Sequence, residues 1–412
     1  MPPVAATATA IGRLMSPDCD TWSSILNQRT EPNPGRIIDL YLPALPAMAQ
    51  ALDASAAQMQ WTLAGTTVGF AAGQAVVGPL SDRHGRRRPL LASITLHLFA
   101  SALVAASPTI TLLLLGRVLQ GFGAAAGVVV ALAIARDLYG GPPLVVLLSK
   151  LALVTGLAPI IAPVVGAQIQ QLSGWRAIFA VLTGFSLIVL VALAATVPET
   201  SRLRFPDGHA VVLTYRARYI AVFRDRRFWG AALIGGMNFT ALFAYLASSP
   251  FLVQTVFGFA PAQFGLVFAA NSVGVVIGIQ SAARLAQRID PQRILLVALP
   301  LMAAALVSIL VWGHNDNPAF VLGSVFLYIT FGGLCVPCVQ LIALRDHARQ
   351  SGTAASVLGI LNYGLAGLLS PILGLFPITS AAPMSAYMLT ATCVSIGALM
   401  YLLRPWQPAQ RQ

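Results

Sequence analysis

The chain has 412 residues, 57% of them apolar and only 9% charged, with a mean hydropathy of +0.78. Two or three soluble domains would fit the length, but a soluble surface needs roughly 25% charged residues. Collagen, disorder and disulfide scaffolds are excluded by the lack of a Gly-X-Y period, the high apolar content and only four cysteines. The sequence predicts an all-α, polytopic membrane protein. Of the 25 basic residues behind the net charge of +12, all but Lys150 are Arg. They fall in short gaps between apolar runs, a pattern of membrane topology rather than of nucleic-acid binding.

A helix needs about 20 apolar residues to cross a hydrocarbon core of about 30 Å. Residues 1–36 form a polar N-terminal tail without the ~7–15-residue apolar stretch of a signal peptide. The first apolar run, Ile37 to Leu52, is short: as a helix it covers about 24 Å. Pro32, Pro34 and Gly35 oppose extending it backwards, so its helix is predicted to begin near Ile37. Eleven further spans follow: Trp61 to Leu80, Leu90 to Ala106, Thr109 to Ala135, Leu144 to Ile169 and Arg176 to Val197 in the first half. The second half has Trp229 to Val253, Ala262 to Leu285, Ile294 to Trp312, Pro318 to Leu344, Ser351 to Pro377 and Ser385 to Leu403. The domain reading is therefore a tail (1–36), a six-helix bundle (37–197), a linker (198–228), a second six-helix bundle (229–404) and a short C-terminal tail (405–412).

With the N-terminus inside, 22 basic residues lie in inside segments and one, Arg176, outside, while Arg117 and Lys150 fall within spans. That asymmetry predicts both termini in the cytoplasm. The halves resemble one another, with Gly78 closing the second span and Gly278 the eighth. Parallel six-helix repeats predict a secondary transporter with its site between the halves, near the midplane.

Several residues stand out against this background. Arg117 sits about 12 Å inside its span. Its guanidinium there costs at least ~2.5 kcal/mol, so it should face the bundle interior or a wet cavity, the alternative being to snorkel outward. Gln120, one turn away, is a further candidate for the substrate path. Asp39 is the sole acid inside an apolar run, and desolvation could tune it for proton exchange. The alternative is a carboxylate at a helix start. Asp82 is the one acid in a basic loop, where it can pair with Arg. Tyr41, Asn238, Tyr245, Asn271 and Asn362 are polar groups in apolar spans. Each is a candidate substrate contact or a helix–helix hydrogen bond. Cys335 and Cys338 read as packing, since zinc wants four ligands, so no metal site is expected. His97 is a possible proton relay or a packed histidine.

The segment Gly78-Pro-Leu-Ser-Asp82-Arg83-His-Gly85-Arg86-Arg-Arg88 resembles the signature loop of the major facilitator superfamily. Arg117-Val-Leu-Gln120-Gly-Phe-Gly123 resembles the fourth-helix motif of its proton-coupled members. Gly156-Leu-Ala-Pro159-Ile-Ile-Ala-Pro163-Val-Val-Gly166 is similar to the fifth-helix antiporter motif of drug exporters. Asp39-Leu-Tyr41-Leu-Pro-Ala-Leu-Pro46 looks like the first helix of the bicyclomycin and chloramphenicol resistance subfamily. The resemblance implies a twelve-helix transporter with a shortened first helix, not an enzyme, exporting drugs or small metabolites by proton antiport. Asp39 and Arg117 would couple protons. Gly78, Asp82, Arg83, Gly85 and Arg86 would form a cytoplasmic latch, and Gly156, Pro159, Pro163 and Gly166 would seal the path against proton leak. A non-drug exporter, an uptake carrier or a degenerate transporter on the same fold are the alternatives. The implied setting is a bacterial-type inner membrane. The partners would be a small-molecule substrate, protons and lipid, with no nucleic acid and no cofactor beyond the proton gradient, for a chain acting as a monomer.

Overall fold

Apolar runs this long can satisfy their backbone in lipid only as helices or closed barrels, and the chain takes the first option. The computed structural model describes residues 40–138, 141–199, 222–313, 317–345 and 351–403. Among them there are helices and no strands. A 3-10 turn, Leu42–Ala44, leads into the short helix α1, Leu45–Ala51. Then come α2 (Ala56–His84), α3 (Arg87–Ala106), α4 (Ile110–Leu138) and α5 (Gly141–Thr196). The second half holds α6 (Arg226–Pro250), prolonged by a π-helical turn Phe251–Val256, then α7 (Pro261–Leu285), α8 (Pro291–Trp312) and α9 (Pro318–Arg345). Helix α10 (Ser351–Leu369) continues as the 3-10 turn Ser370–Leu375, and α11 (Ala382–Ala398) ends in the turn Leu399–Leu403.

Ten stretches of the described residues are long and apolar enough to cross a membrane. Two differences separate that number from the twelve predicted spans. The first span falls short, and α5 joins the fifth and sixth predicted spans in one element. Its break is at Gly174, whose φ of 76° is a left-handed value that glycine adopts without a β-carbon clash. Pro159 and Pro163 both lie within the helical first arm of α5. The second arm of α5 (175–196) runs back along α3. Arg176 donates to the Ser107 carbonyl at 3.1 Å beyond one end of α3, and Glu199 meets Arg86 at the other.

Helix starts are fixed by the side chains expected of caps. Ser55 and Gln58 form a reciprocal capping box on α2, and Asp225 and Asp290 cap α6 and α8. Glycines set the packing distance between α2 and α4: a β-carbon on Gly69 or Gly121 would run into the backbone of Val118 or Thr66. Gly278 and Gly333 bring α7 and α9 together in the same way. Gly78 makes no such close approach: a β-carbon there would meet only a Val129 methyl at 3.5 Å, in ordinary contact.

The segment entering α1 is enclosed, with Tyr41, Leu42 and Ala44 at 0% exposure, and α1 itself buries Leu45 and Met48 while its end is exposed. Two seams join the halves. Along α2 and α10, antiparallel neighbours meet at Gln60 and Gly374, Thr67 and Gly367, and Gln74 and Gly359. Helix α5 meets α7 where Gly265 lies against Pro163 and Val164.

Candidate functional site

The first candidate group surrounds Arg117, whose side chain is fully buried. Its guanidinium lies under the Tyr41 ring, 4.0 Å from Cζ to the ring centroid, and 5.7 Å from that of Phe179. A desolvated cation–π contact of this kind contributes about 2 kcal/mol, close to the cost of placing the charge within the span. Arg117 Nη1 donates to Gln120 Oε1, and Gln120 Nε2 donates in turn to Ser101 Oγ at 2.8 Å. The Tyr41 hydroxyl shares a hydrogen bond with Thr62 Oγ1 at 3.2 Å. Four helices and the segment before α1 thus converge on one cation. Nε and Nη2 of Arg117 have no hydrogen-bond partner among the described residues. Asp39, expected to face this cation, lies outside the described residues. Tyr41, two positions on, is against it. His97, buried on α3, pairs through Nδ1 with Ser186 Oγ at 2.9 Å.

The second group is the loop between α2 and α3. Arg86 is 5% exposed and makes an ion pair with Asp82 and a 2.9 Å one with Asp137, whose side chain is wholly buried. Its Nη1 also donates to Ser81 Oγ at 3.0 Å. Burial by itself would lower the Arg86 pKa, yet hydrogen bonds and charge from Asp137 and Asp82 outweigh it and hold it above the ordinary arginine value. The Glu199 carboxylate accepts the backbone N–H groups of Arg86 (2.8 Å) and Arg87 (3.2 Å), the free donors at the start of α3. Gly85, at φ 87°, makes room for it. Gly78 contributes no comparable contact, and Arg83 is exposed. The bonds of Arg86 and Glu199 described here tie α2, α3, α4 and the end of α5 together within the first half.

Asp137 and Glu199 were missed by the sequence reading. A weak signal existed for Asp137, an acid directly past the end of a span. Glu199 was assigned to the linker. The second half repeats the arrangement with the signs exchanged: Asp290, before α8, faces Arg345, at the end of α9, at 3.7 Å.

The antiporter motif divides at the limit of the described side chains. Gly156 and Pro159 are described only as helical backbone. Pro163 lies where α5 meets α7, and Gly166 admits the Leu40 carbonyl where a β-carbon would stand. The Pro163–Gly166 end of the motif therefore lies where α5 crosses α7 and the segment before α1. In the second half, Asn238 Nδ2 donates to the Gly332 carbonyl at 3.3 Å and Asn271 Nδ2 to the Tyr245 hydroxyl at 2.7 Å. Both are helix–helix hydrogen bonds. Asn362 differs, because its buried Oδ1 has no hydrogen-bond partner among the described residues. Cys335 packs 3.8 Å from the Met302 sulfur.

The pattern of the Major Facilitator Superfamily matches residues 37–371. The chain belongs to that superfamily. It is 34% identical over 372 residues to an uncharacterized major facilitator transporter, YdgK, of Bacillus subtilis, covering 88% of this chain and 90% of that protein. It is 26% identical to a bicyclomycin resistance protein homolog of Haemophilus influenzae (88% and 91% covered). It is 29% identical to a chloramphenicol resistance protein of Pseudomonas aeruginosa (87% and 85%). These names are those of the subfamily that the first-helix motif resembles. Among solved structures, a D-xylose–proton symporter superposes with a TM-score of 0.71 at 17% identity, covering 91% of this chain and 95% of that one. At that identity the likeness establishes the fold alone. As a major facilitator, the protein is a multi-pass transporter of small molecules and not an enzyme.

Proposed function

We propose that this major facilitator exports drug-like small molecules by proton antiport through alternating access, in a bacterial inner membrane, with both termini cytoplasmic. The observation that carries the reading is Arg117: a guanidinium with no exposure and two donor nitrogens without a hydrogen-bond partner among the described residues, under the ring of Tyr41, which stands two positions after Asp39 in the sequence. A carboxyl meeting such a cation is held ionised by charge and pushed toward neutrality by the apolar surround. Proton and substrate can then compete for one site. The resistance names of the relatives support drugs as cargo. The energy source is the gradient, with no bound cofactor: one charge moved through 100 mV supplies about 2.3 kcal/mol, enough for roughly a fiftyfold substrate gradient.

Transport of chloramphenicol into inside-out membrane vesicles, driven by an imposed pH gradient and tested against a protonophore, decides the matter. Asp39→Asn is expected to abolish gradient-driven transport, and Arg117→Ala to abolish it or shift its pH optimum. Wild-type behaviour of Asp39→Asn at equal abundance would overturn the coupling mechanism.

A further inference from the structure

Halfway along the α2–α10 seam four aromatic rings from both halves meet. Phe70 is the midpoint of α2, and Tyr363 is the midpoint of the helical stretch from Ser351 through Leu375. Phe239 and Phe243 flank the middle of the stretch from Arg226 to Val256. The Tyr363 ring takes all three edge-on, with centroids at 4.7 Å from Phe70, 5.3 Å from Phe239 and 6.3 Å from Phe243. Edge-to-face packing of this kind is exchangeable: any flat ring with a polarised edge can replace one partner.

One helical turn nearer the Arg86 end lies a second layer of different chemistry. Gln74 follows Phe70 by a turn, with its Oε1 facing Gly359, a turn before Tyr363. Asn362 points its Oδ1 at Gly235, a turn before Phe239. Both oxygens are buried and have no hydrogen-bond partner among the described residues. A buried acceptor left unmet costs about 1–3 kcal/mol, so two at one level are acceptors awaiting donors. The described carboxylates, Asp53, Asp82, Asp137, Glu199, Asp225 and Asp290, all lie at or beyond helix ends. None is placed to neutralise a cation at this depth.

We infer that Phe70, Phe239, Phe243 and Tyr363 clamp an aromatic ring of the substrate while Asn362 and Gln74 accept its N–H or O–H donors, so that the site selects neutral aromatic molecules bearing amide or hydroxyl groups. The inference rests on the reading of the protein as a drug exporter and names the substrate class of that transporter. A site that hydrogen-bonds its ligand discriminates strongly against analogues lacking the donor, because its own polar groups would stay unpaired. Because the rings come from both halves, the ligand would bridge them at mid-depth, where rocking of one half against the other exposes it to either side.

Equilibrium binding to the purified full-length protein in lipid nanodiscs tests this without any gradient, so a failure of proton coupling leaves the result readable. The probes are chloramphenicol, a neutral nitroaromatic with amide and hydroxyl donors, and tetraphenylphosphonium, an aromatic cation with none. Chloramphenicol is expected to bind the wild type, and Tyr363→Leu and Asn362→Leu each to weaken it at least about tenfold. Tyr363→Phe should recover most of what Tyr363→Leu loses. Tetraphenylphosphonium should bind more weakly than chloramphenicol and ignore Asn362→Leu. Should the leucine variants fail to fold, Tyr363→Trp reads the same contact, since a bound nitroaromatic must quench its added fluorescence. No chloramphenicol binding to the wild type, unchanged affinity in folded Tyr363→Leu or Asn362→Leu, unquenched Tyr363→Trp, or tighter binding of the cation would each overturn the assignment.

Discussion

The carboxylate of Glu199 occupies the space that a β-carbon on Gly85 would need, and from there it caps α3 through the N–H groups of Arg86 and Arg87. The start of the interhalf linker is thereby pinned to the signature loop. Gly85→Ala would suffer twice, from the left-handed backbone at φ 87° and from collision with the carboxylate. We expect a lower melting temperature and reduced transport at equal membrane abundance. Thermal unfolding in detergent with a parallel efflux assay checks both, and wild-type values for the alanine variant would show that Glu199 moves aside at no cost.

Within the same network, the partners of Arg86 differ in burial. The Asp137 side chain is 0% exposed and that of Asp82 is 39% exposed. Stripping one member from a buried ion pair costs about 3–5 kcal/mol, whereas an exposed pair contributes only about 0–1 kcal/mol. Asp137→Ala should therefore destabilise the protein far more than Asp82→Ala, which is expected to lower transport while leaving the chain inserted. In the sign-exchanged pair Asp290–Arg345 both side chains are about half exposed, so Asp290→Ala should cost about 0.5–2 kcal/mol, chiefly the lost cap of α8, and less than Asp137→Ala. Melting temperatures of the three variants order the effects, and equal losses for Asp137→Ala and Asp290→Ala would contradict the burial argument.

The positions of the spans were legible because a bilayer demands long apolar helices, and few other residues can fill them. The α5 break was legible too: Ser173-Gly174-Trp175-Arg176 stands between two apolar runs, and the structure turns there. What the sequence hid was pairing over distance. Asp137 lies 51 residues from Arg86, and Glu199 lies 113 from it, with nothing local to either acid to reveal its partner. Arg117 was recognisable by its depth and Gln120 by its spacing. The Tyr41 ring over the guanidinium was not, because cation–π stacking leaves no periodic trace. The unmet acceptors of Asn362 and Gln74 follow only from how α2, α6 and α10 come together.

Gln120 is placed as a positioning residue for Arg117, holding Nη1 on one side and Ser101 on the other. Gln120→Leu removes a hydrogen bond to a buried charge, a loss of about 1.5–3 kcal/mol, and should lower both stability and transport. Gln120→Glu should separate the two. A permanent carboxylate beside the guanidinium raises the melting temperature, but it also satisfies the cation that an exchanging carboxyl needs. Gradient-driven efflux should then fall in the more stable variant. Full proton-coupled efflux by Gln120→Glu would mean that Arg117 does not act through a second acid.

Gly166 bears on the integrity of the proton barrier. The Leu40 carbonyl stands where its β-carbon would be, so Gly166→Ala must push α5 away from the residues entering α1. The displaced segment is the one that lays Tyr41 over Arg117 and shares a hydrogen bond with Thr62. It also carries the Pro43 carbonyl that accepts from Gln254 Nε2, across the halves, at 3.1 Å. A single methyl group would thus loosen the first-half cluster and one contact between the halves. The expected outcome is faster substrate-independent collapse of a pH gradient in vesicles carrying Gly166→Ala, together with weaker drug export. A fluorescent pH dye trapped in proteoliposomes reports the leak directly. A wild-type leak rate accompanied by wild-type export would show that α1 re-seats without the glycine, and would remove the sealing role from this end of the motif.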